Sequence, residues 1–159
     1  MLSEFDLLTY QRSCLAHGLR PNEVEDLLSI ATEVLYRGGD QIIKHKSGDA
    51  DLYLILDGKV NLLTDDGDKV LEVGPGYVVG EISFLDAGPR DISANAIAHV
   101  TALRFPADEL RRRMCANKEF GFRILANLSR VLCARMREAE DKLDSLMDNA
   151  HEAWVTWDK

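Results

Sequence analysis

A mainly β chain with flanking helices is the fold class that this sequence predicts, and three observations predict it. Between residues 32 and 105 the chain runs in short stretches rich in Val, Ile, Leu and Tyr, cut at regular intervals by Gly, Asp and Pro. Many short strands with repeated turns close into an antiparallel sandwich or barrel. Before that region and after Pro106 the apolar residues fall at the three-and-four spacing of helices. With 159 residues, 46% of them apolar and 29% charged, the chain is long enough to bury a substantial core in one compact unit.

The first element is a helix within residues 2–16, carrying Leu7, Leu8 and Leu15, with Ser3 as its cap and His17-Gly18 as its stop. Pro21 and Asn22 open a second short helix through Leu27, Leu28 and Ile30. In the β region the clearest hairpin is Asp65-Asp66-Gly67-Asp68, joining a strand over 60–64 to one over 69–73. Beyond Pro106 a helix covers 108–114, and a long one runs from about residue 118 past Leu146. The organisation is therefore N-terminal helices over 1–31, a β region over 32–106 and C-terminal helices with a tail over 107–159.

Along the last helix Leu125, Leu132, Ala139 and Leu146 recur every seventh residue, with Met136 and Leu143 offset by three or four. A narrow apolar seam of this kind belongs to a helix that packs against another helix. Part of it can lie back on the β region; for the portion after Met136 the expected contact is a second copy of the chain, giving a homodimer. Trp154 and Trp157 either join that contact or mark another protein partner. Arg111-Arg112-Arg113 spreads around a helix rather than along one face, and reads as solvated surface.

The segment Gly80-Glu81-Ile82-Ser83-Phe84-Leu85-Asp86-Ala87-Gly88-Pro89-Arg90 carries the most chemistry. A helical turn opened by Gly80 offers free backbone N–H groups to an anionic oxygen. Arg90, set after Gly-Pro, can meet the same anion with two parallel charge-assisted bonds. Glu81 only accepts hydrogen bonds, which suits a hydroxyl beside that anion. By spacing alone, a Glu and an Arg nine positions apart read rather as a salt bridge on a loop.

With its surroundings the segment resembles the cyclic-nucleotide-binding domain. This is the sensor module of the catabolite activator protein family, of cyclic-nucleotide-dependent kinases and of cyclic-nucleotide-gated channels. The resemblance covers roughly residues 20–137 and is carried by Gly38-Gly39-Asp40, by the run from Lys44 through Ser47-Gly48-Asp49-Ala50-Asp51 to Asp57-Gly58-Lys59-Val60, and by Gly74-Pro75-Gly76-Tyr77-Val78-Val79-Gly80-Glu81. Turn glycines at several separate places are hard to match by chance. The resemblance implies an antiparallel β-roll of the double-stranded β-helix or jelly-roll type, and cAMP or cGMP as the ligand. It implies that Glu81 accepts from the ribose 2′-hydroxyl, that Arg90 binds the cyclic phosphate, and that Gly80, Ile82 and Ser83 supply backbone contacts. Arg135 and Met136 would cap the base, the arginine by a cation–π contact.

Two departures qualify this. Directly after the phosphate arginine, familiar members carry a small or hydroxyl residue; here Asp91 stands in that place. Either Asp91 turns away and pairs with Arg90, or it reads the N–H edge of a guanine. Second, no basic helix-turn-helix follows the long helix, so the expectation is a stand-alone regulatory module signalling through that helix. The alternatives are a degenerate roll acting as a protein-interaction subunit without nucleotide, and the sensor part of a longer DNA-binding regulator.

A formal charge of −8 argues against a surface built for nucleic acid or an anionic membrane. No apolar run reaches the ~18 residues of a spanning helix, and Glu4 and Asp6 stand where a signal peptide would be basic, so a cytoplasmic location is expected. Cys14, Cys115 and Cys133 read as free thiols. His17, His45, His99 and His151 lack metal-binding spacing, and no nucleophile sits with a base, so neither a metal nor an enzymatic activity is expected.

Overall fold

A computed structural model describes the backbone of residues 2–157 and the side chains of residues 2–148. The elements are α1 (Glu4–Arg12), α2 (Pro21–Ser29), β1 (Thr32–Tyr36), β2 (Gln41–Ile43), β3 (Leu52–Asp57), β4 (Val60–Leu63), β5 (Lys69–Val73), β6 (Val78–Val79), α3 (Glu81–Asp86), β7 (Ser93–Ala96), β8 (Val100–Phe105), α4 (Ala107–Ala116) and α5 (Lys118–Trp157). The strands form two antiparallel four-stranded sheets, ordered β1-β8-β3-β6 and β2-β7-β4-β5. Facing antiparallel sheets with flanking helices are the β-roll that the resemblance implies.

Strand β3 explains how the layers stack. Its run Leu52-Tyr53-Leu54-Ile55-Leu56 is buried throughout, because successive side chains point to opposite faces and both faces are covered. Leu52, Leu54 and Leu56 join Tyr10, Leu27, Phe105, Leu110, Phe120, Ile124 and Leu128 under the helices. Tyr53 and Ile55 join Val60, Leu62, Val79, Ala94 and Ala102 between the sheets. The hairpin after β4 closes as expected: Gly67 takes φ +88°, its N–H donates to the Thr64 carbonyl (3.1 Å), and the Thr64 N–H donates to the Asp68 carbonyl (2.9 Å).

The helices follow their caps, with one correction. Ser3 caps α1 and exchanges bonds with Asp6 as a capping box, and Pro21 stands at the start of α2. Helix α1 stops at Arg12 rather than reaching His17. Ser13 turns extended and its hydroxyl accepts from the Ala16 N–H (3.4 Å), a local bond that competes with the helix and swings Leu15 into the core. The arginine run is also corrected. Arg111 donates to the Phe84 carbonyl (2.8 Å) and lies over the Phe84 ring (5.0 Å to its centre), and Arg113 pairs with Asp26 and Glu109. These side chains tie α4 to α3 and α2; only Arg112 keeps a mainly exposed side chain.

Helix α5 is held by its first three turns, where Phe120, Ile124 and Leu128 recur at i, i+4 and i+8 in the core. The Asn127 side-chain amide donates to the Leu15 (3.0 Å) and His17 (2.8 Å) carbonyls. Past Leu128 none of the described residues of α5 is buried. Among the described residues no helix is long and apolar enough to cross a membrane, and no group of three His, Cys, Asp or Glu is placed to hold a metal. Cys14, Cys115 and Cys133 are free. The side chains of Trp154 and Trp157 lie outside the described residues.

Candidate functional site

The site is built where the end of β6 turns into α3. Gly80 caps α3 at φ +91°, and a Cβ there would stand 2.5 Å from Arg90 Nη1 and 2.7 Å from the Asp51 carbonyl. Both the left-handed conformation and the close approach require glycine. Arg90 arrives on the neighbouring segment, its N–H donating to the Ser47 carbonyl (3.1 Å) and its carbonyl accepting from Lys46 (2.8 Å). Ser83 Oγ, donating to the Pro89 carbonyl (3.2 Å), ties the far side of the turn.

Arg90 is 2% exposed, not at the surface. Its Nη1 donates to the Gly80 carbonyl (3.0 Å), and its Nη2 donates to the Asp51 carbonyl (2.6 Å) and Asp49 Oδ1 (2.5 Å). The ion-pair partner of Arg90 is thus Asp49, which replaces the pairing with Asp91 considered from the sequence. Burial pushes the Asp49 carboxyl up, but hydrogen bonds from Arg90 and Ser47 outweigh it and hold the group below its ordinary value.

Glu81 is 1% exposed and pairs with Arg135 of α5. Its carboxyl is pushed above the ordinary range, first by burial; Arg135 opposes the shift and the charge of Asp91 adds to it. Arg135 also donates through Nη2 to the Val78 carbonyl (2.6 Å) and lies over the Tyr77 ring, 5.5 Å from its centre. Gly80, Glu81, Ile82, Arg90, Asp91 and Arg135 line one cleft together with Ile43 and Ile92, and its free volume is about 10 Å³. That is room for about one water. Asp91 sits exposed at its rim. Met136, one residue along α5, is 65% exposed and does not line the cleft.

Among the described residues, four buried side-chain polar atoms lack a partner, and Arg90 Nε and Arg135 Nε are two of them. Two unsatisfied guanidinium donors in one cleft mark it as suited to an added acceptor. Sequence reasoning missed Asp49, Asp51 and Tyr77. Asp51 links the site to the helices: its backbone carbonyl receives Arg90, while its carboxylate accepts from the Ala107 N–H (2.8 Å) and from Arg104 Nε (2.7 Å). In sequence both aspartates read as turn residues around Gly48.

Comparison with known proteins agrees with this fold. Residues 33–117 match the cyclic nucleotide-binding domain. The cyclic AMP receptor protein of Thermus thermophilus is 35% identical over 84% of this chain and 62% of its own length. The crystal structure of the Thermus thermophilus catabolite activator protein superposes with a TM-score of 0.70 at 33% identity, over 85% of this chain and 63% of that one. A cyclic nucleotide-binding domain from Methylobacillus flagellatus superposes with a TM-score of 0.77 at 26% identity, over 87% and 80%. The chain belongs to the cyclic nucleotide-binding domain family. It spans 62% of the length of the curated Thermus relative.

Proposed function

We propose that the chain is a regulatory module that binds cAMP or cGMP in the cleft between α3 and α5 and passes the signal through α5. The observation that carries this reading is Arg90. It is a buried guanidinium, anchored on two carbonyls and one carboxylate, whose Nε has no acceptor, beside a buried carboxylate, in a chain of this family. A cyclic phosphate supplies the missing acceptor, and a ribose 2′-hydroxyl supplies the donor that Glu81 needs. Backbone N–H groups of Gly80, Ile82 and Ser83 complete the anion cradle. The exposed apolar residues of α5, among them Leu143 and Leu146, support a homodimer formed along that helix.

The test is calorimetric titration of the parent and of Arg90→Lys with cAMP and cGMP. The lysine keeps the charge but cannot make paired planar bonds, so binding is expected to weaken by at least about tenfold. Arg90→Leu is a poorer probe. It would leave the Gly80 and Asp51 carbonyls without their donor, at about 1–3 kcal/mol for each buried group. Equal affinity in the parent and Arg90→Lys would remove Arg90 from the site.

A second reading, a protein-interaction subunit without nucleotide, is favoured by one observation: Glu81 and Arg90 are both already paired within the chain. Absence of binding by the parent at millimolar cAMP and cGMP would establish it in place of the first.

A further inference from the structure

We infer that Arg135 is a built-in competitor for this cleft: its guanidinium occupies Glu81 in the place of a ligand hydroxyl, and its release frees the distal part of α5. The inference rests on the nucleotide reading only for the identity of the displacing ligand.

Three observations carry it. First, Glu81 has the Arg135 guanidinium on Oε1, and the space left between them, Arg90 and Asp91 is about 10 Å³. A ribose phosphate cannot share that volume with Arg135, so the two exclude each other. Second, the arginine is fitted to its place rather than adrift in it. One Nη meets Glu81, the other donates to the Val78 carbonyl at 2.6 Å, and the plane rests on Tyr77. Third, little else holds α5 to the roll beyond its core-packed turns. No described residue past Leu128 is buried, and Lys142 makes a long bond to the Val70 carbonyl (3.4 Å). A cavity of about 240 Å³ lined by Cys14, Gly76, Tyr77, Val78, Val131 and Ala134 separates the helix from the roll just before Arg135. With the guanidinium as its principal polar tie to the roll, this part of the helix is loosened when the guanidinium is displaced.

The consequence is a free-energy linkage. When the closed arrangement dominates, apparent ligand affinity falls by the fraction of molecules that are open. Arg135 would then weaken binding, the reverse of the role of base cap that the resemblance assigns to it.

The experiment uses Arg135→Ala, with Tyr77→Leu as a second variant that removes the ring beneath the guanidinium and leaves the arginine in place. Titration with cAMP and cGMP is paired with hydrogen–deuterium exchange of the ligand-free proteins. Expected are binding tighter by about tenfold in Arg135→Ala, a smaller gain in Tyr77→Leu, and faster exchange in both variants over residues 129–142. Weaker binding by Arg135→Ala, or exchange unchanged over that stretch, overturns the inference. If neither the parent nor the variants bind nucleotide, the exchange result alone decides: faster exchange supports the helix clamp while the nucleotide reading falls.

Discussion

Glu81 and Asp49 respond to pH in opposite senses, although both are carboxylates paired with arginine. Burial raises Glu81 despite Arg135, so the folded protein holds its proton more tightly than the unfolded chain does. Its contribution to stability is full below the ordinary carboxylate value and is lost as pH rises through the raised folded value. Asp49 is held below its ordinary value, so its contribution is present above that value and is lost as pH falls through the lowered one. The parent's urea midpoint is therefore expected to fall relative to that of Glu81→Gln as pH rises from the ordinary carboxylate range towards neutrality. A difference between the two that stays constant across that range would contradict the assignment. Asp91 belongs to the same scale. Its exposed carboxylate stands at the mouth of the cleft, where it opposes an incoming phosphate but is partly screened. Asp91→Ser is expected to tighten cAMP binding by about fivefold at low salt and by less as salt is raised, the scale of an exposed charge contact. If Asp91 instead reads a guanine edge, the same change weakens cGMP and leaves cAMP unaltered, and parallel titrations separate the two.

At the scale of elements, α5 combines three roles along one helix. Phe120, Ile124 and Leu128 fix it in the core, Arg135 pairs with Glu81 at the cleft, and Leu143, Leu146 and Met147 are exposed apolar side chains among the described residues. Leu125 lies about 100° around the helix from Ile124, which is why Leu125 is 43% exposed while Ile124 is buried. A helix anchored in the core over its first turns and exposing apolar side chains further along suits a second copy packed on that later part. Leu143→Glu would place a charge in that contact, so the parent is expected to sediment as a dimer and the variant as a monomer. A monomeric parent would count against the dimer. Helix α3 is the complementary element. It has only six residues, and it is held at its far end by Arg111 on the Phe84 carbonyl and ring. This tie links the cleft to α4.

For the molecule as a whole, the residue pattern by itself determined an antiparallel β fold and the order of its helices, and the family resemblance supplied the β-roll and the expected site residues. The first two rest on local rules: short apolar strands, turn glycines, and Pro21 at a helix start. It also put Glu81 and Arg90 together, because the turn between them is short. What it could not supply were pairings between residues far apart in the chain. Asp49 is brought to Arg90 by the loop before β3, and Arg135 is brought to Glu81 by the crossing of α5 over the roll. Neither contact has a spacing signature. The same limit explains Arg111 and Arg113, which look like solvated charges on an isolated helix and become inter-helix ties once α2 and α3 pack beside them. It also explains Met136, which the resemblance groups with Arg135 but helical geometry turns about 100° away. The resemblance therefore named the groups expected to meet a nucleotide, and tertiary packing decided that Arg90 is paired with Asp49 and Glu81 with Arg135, because those partners come from distant parts of the chain.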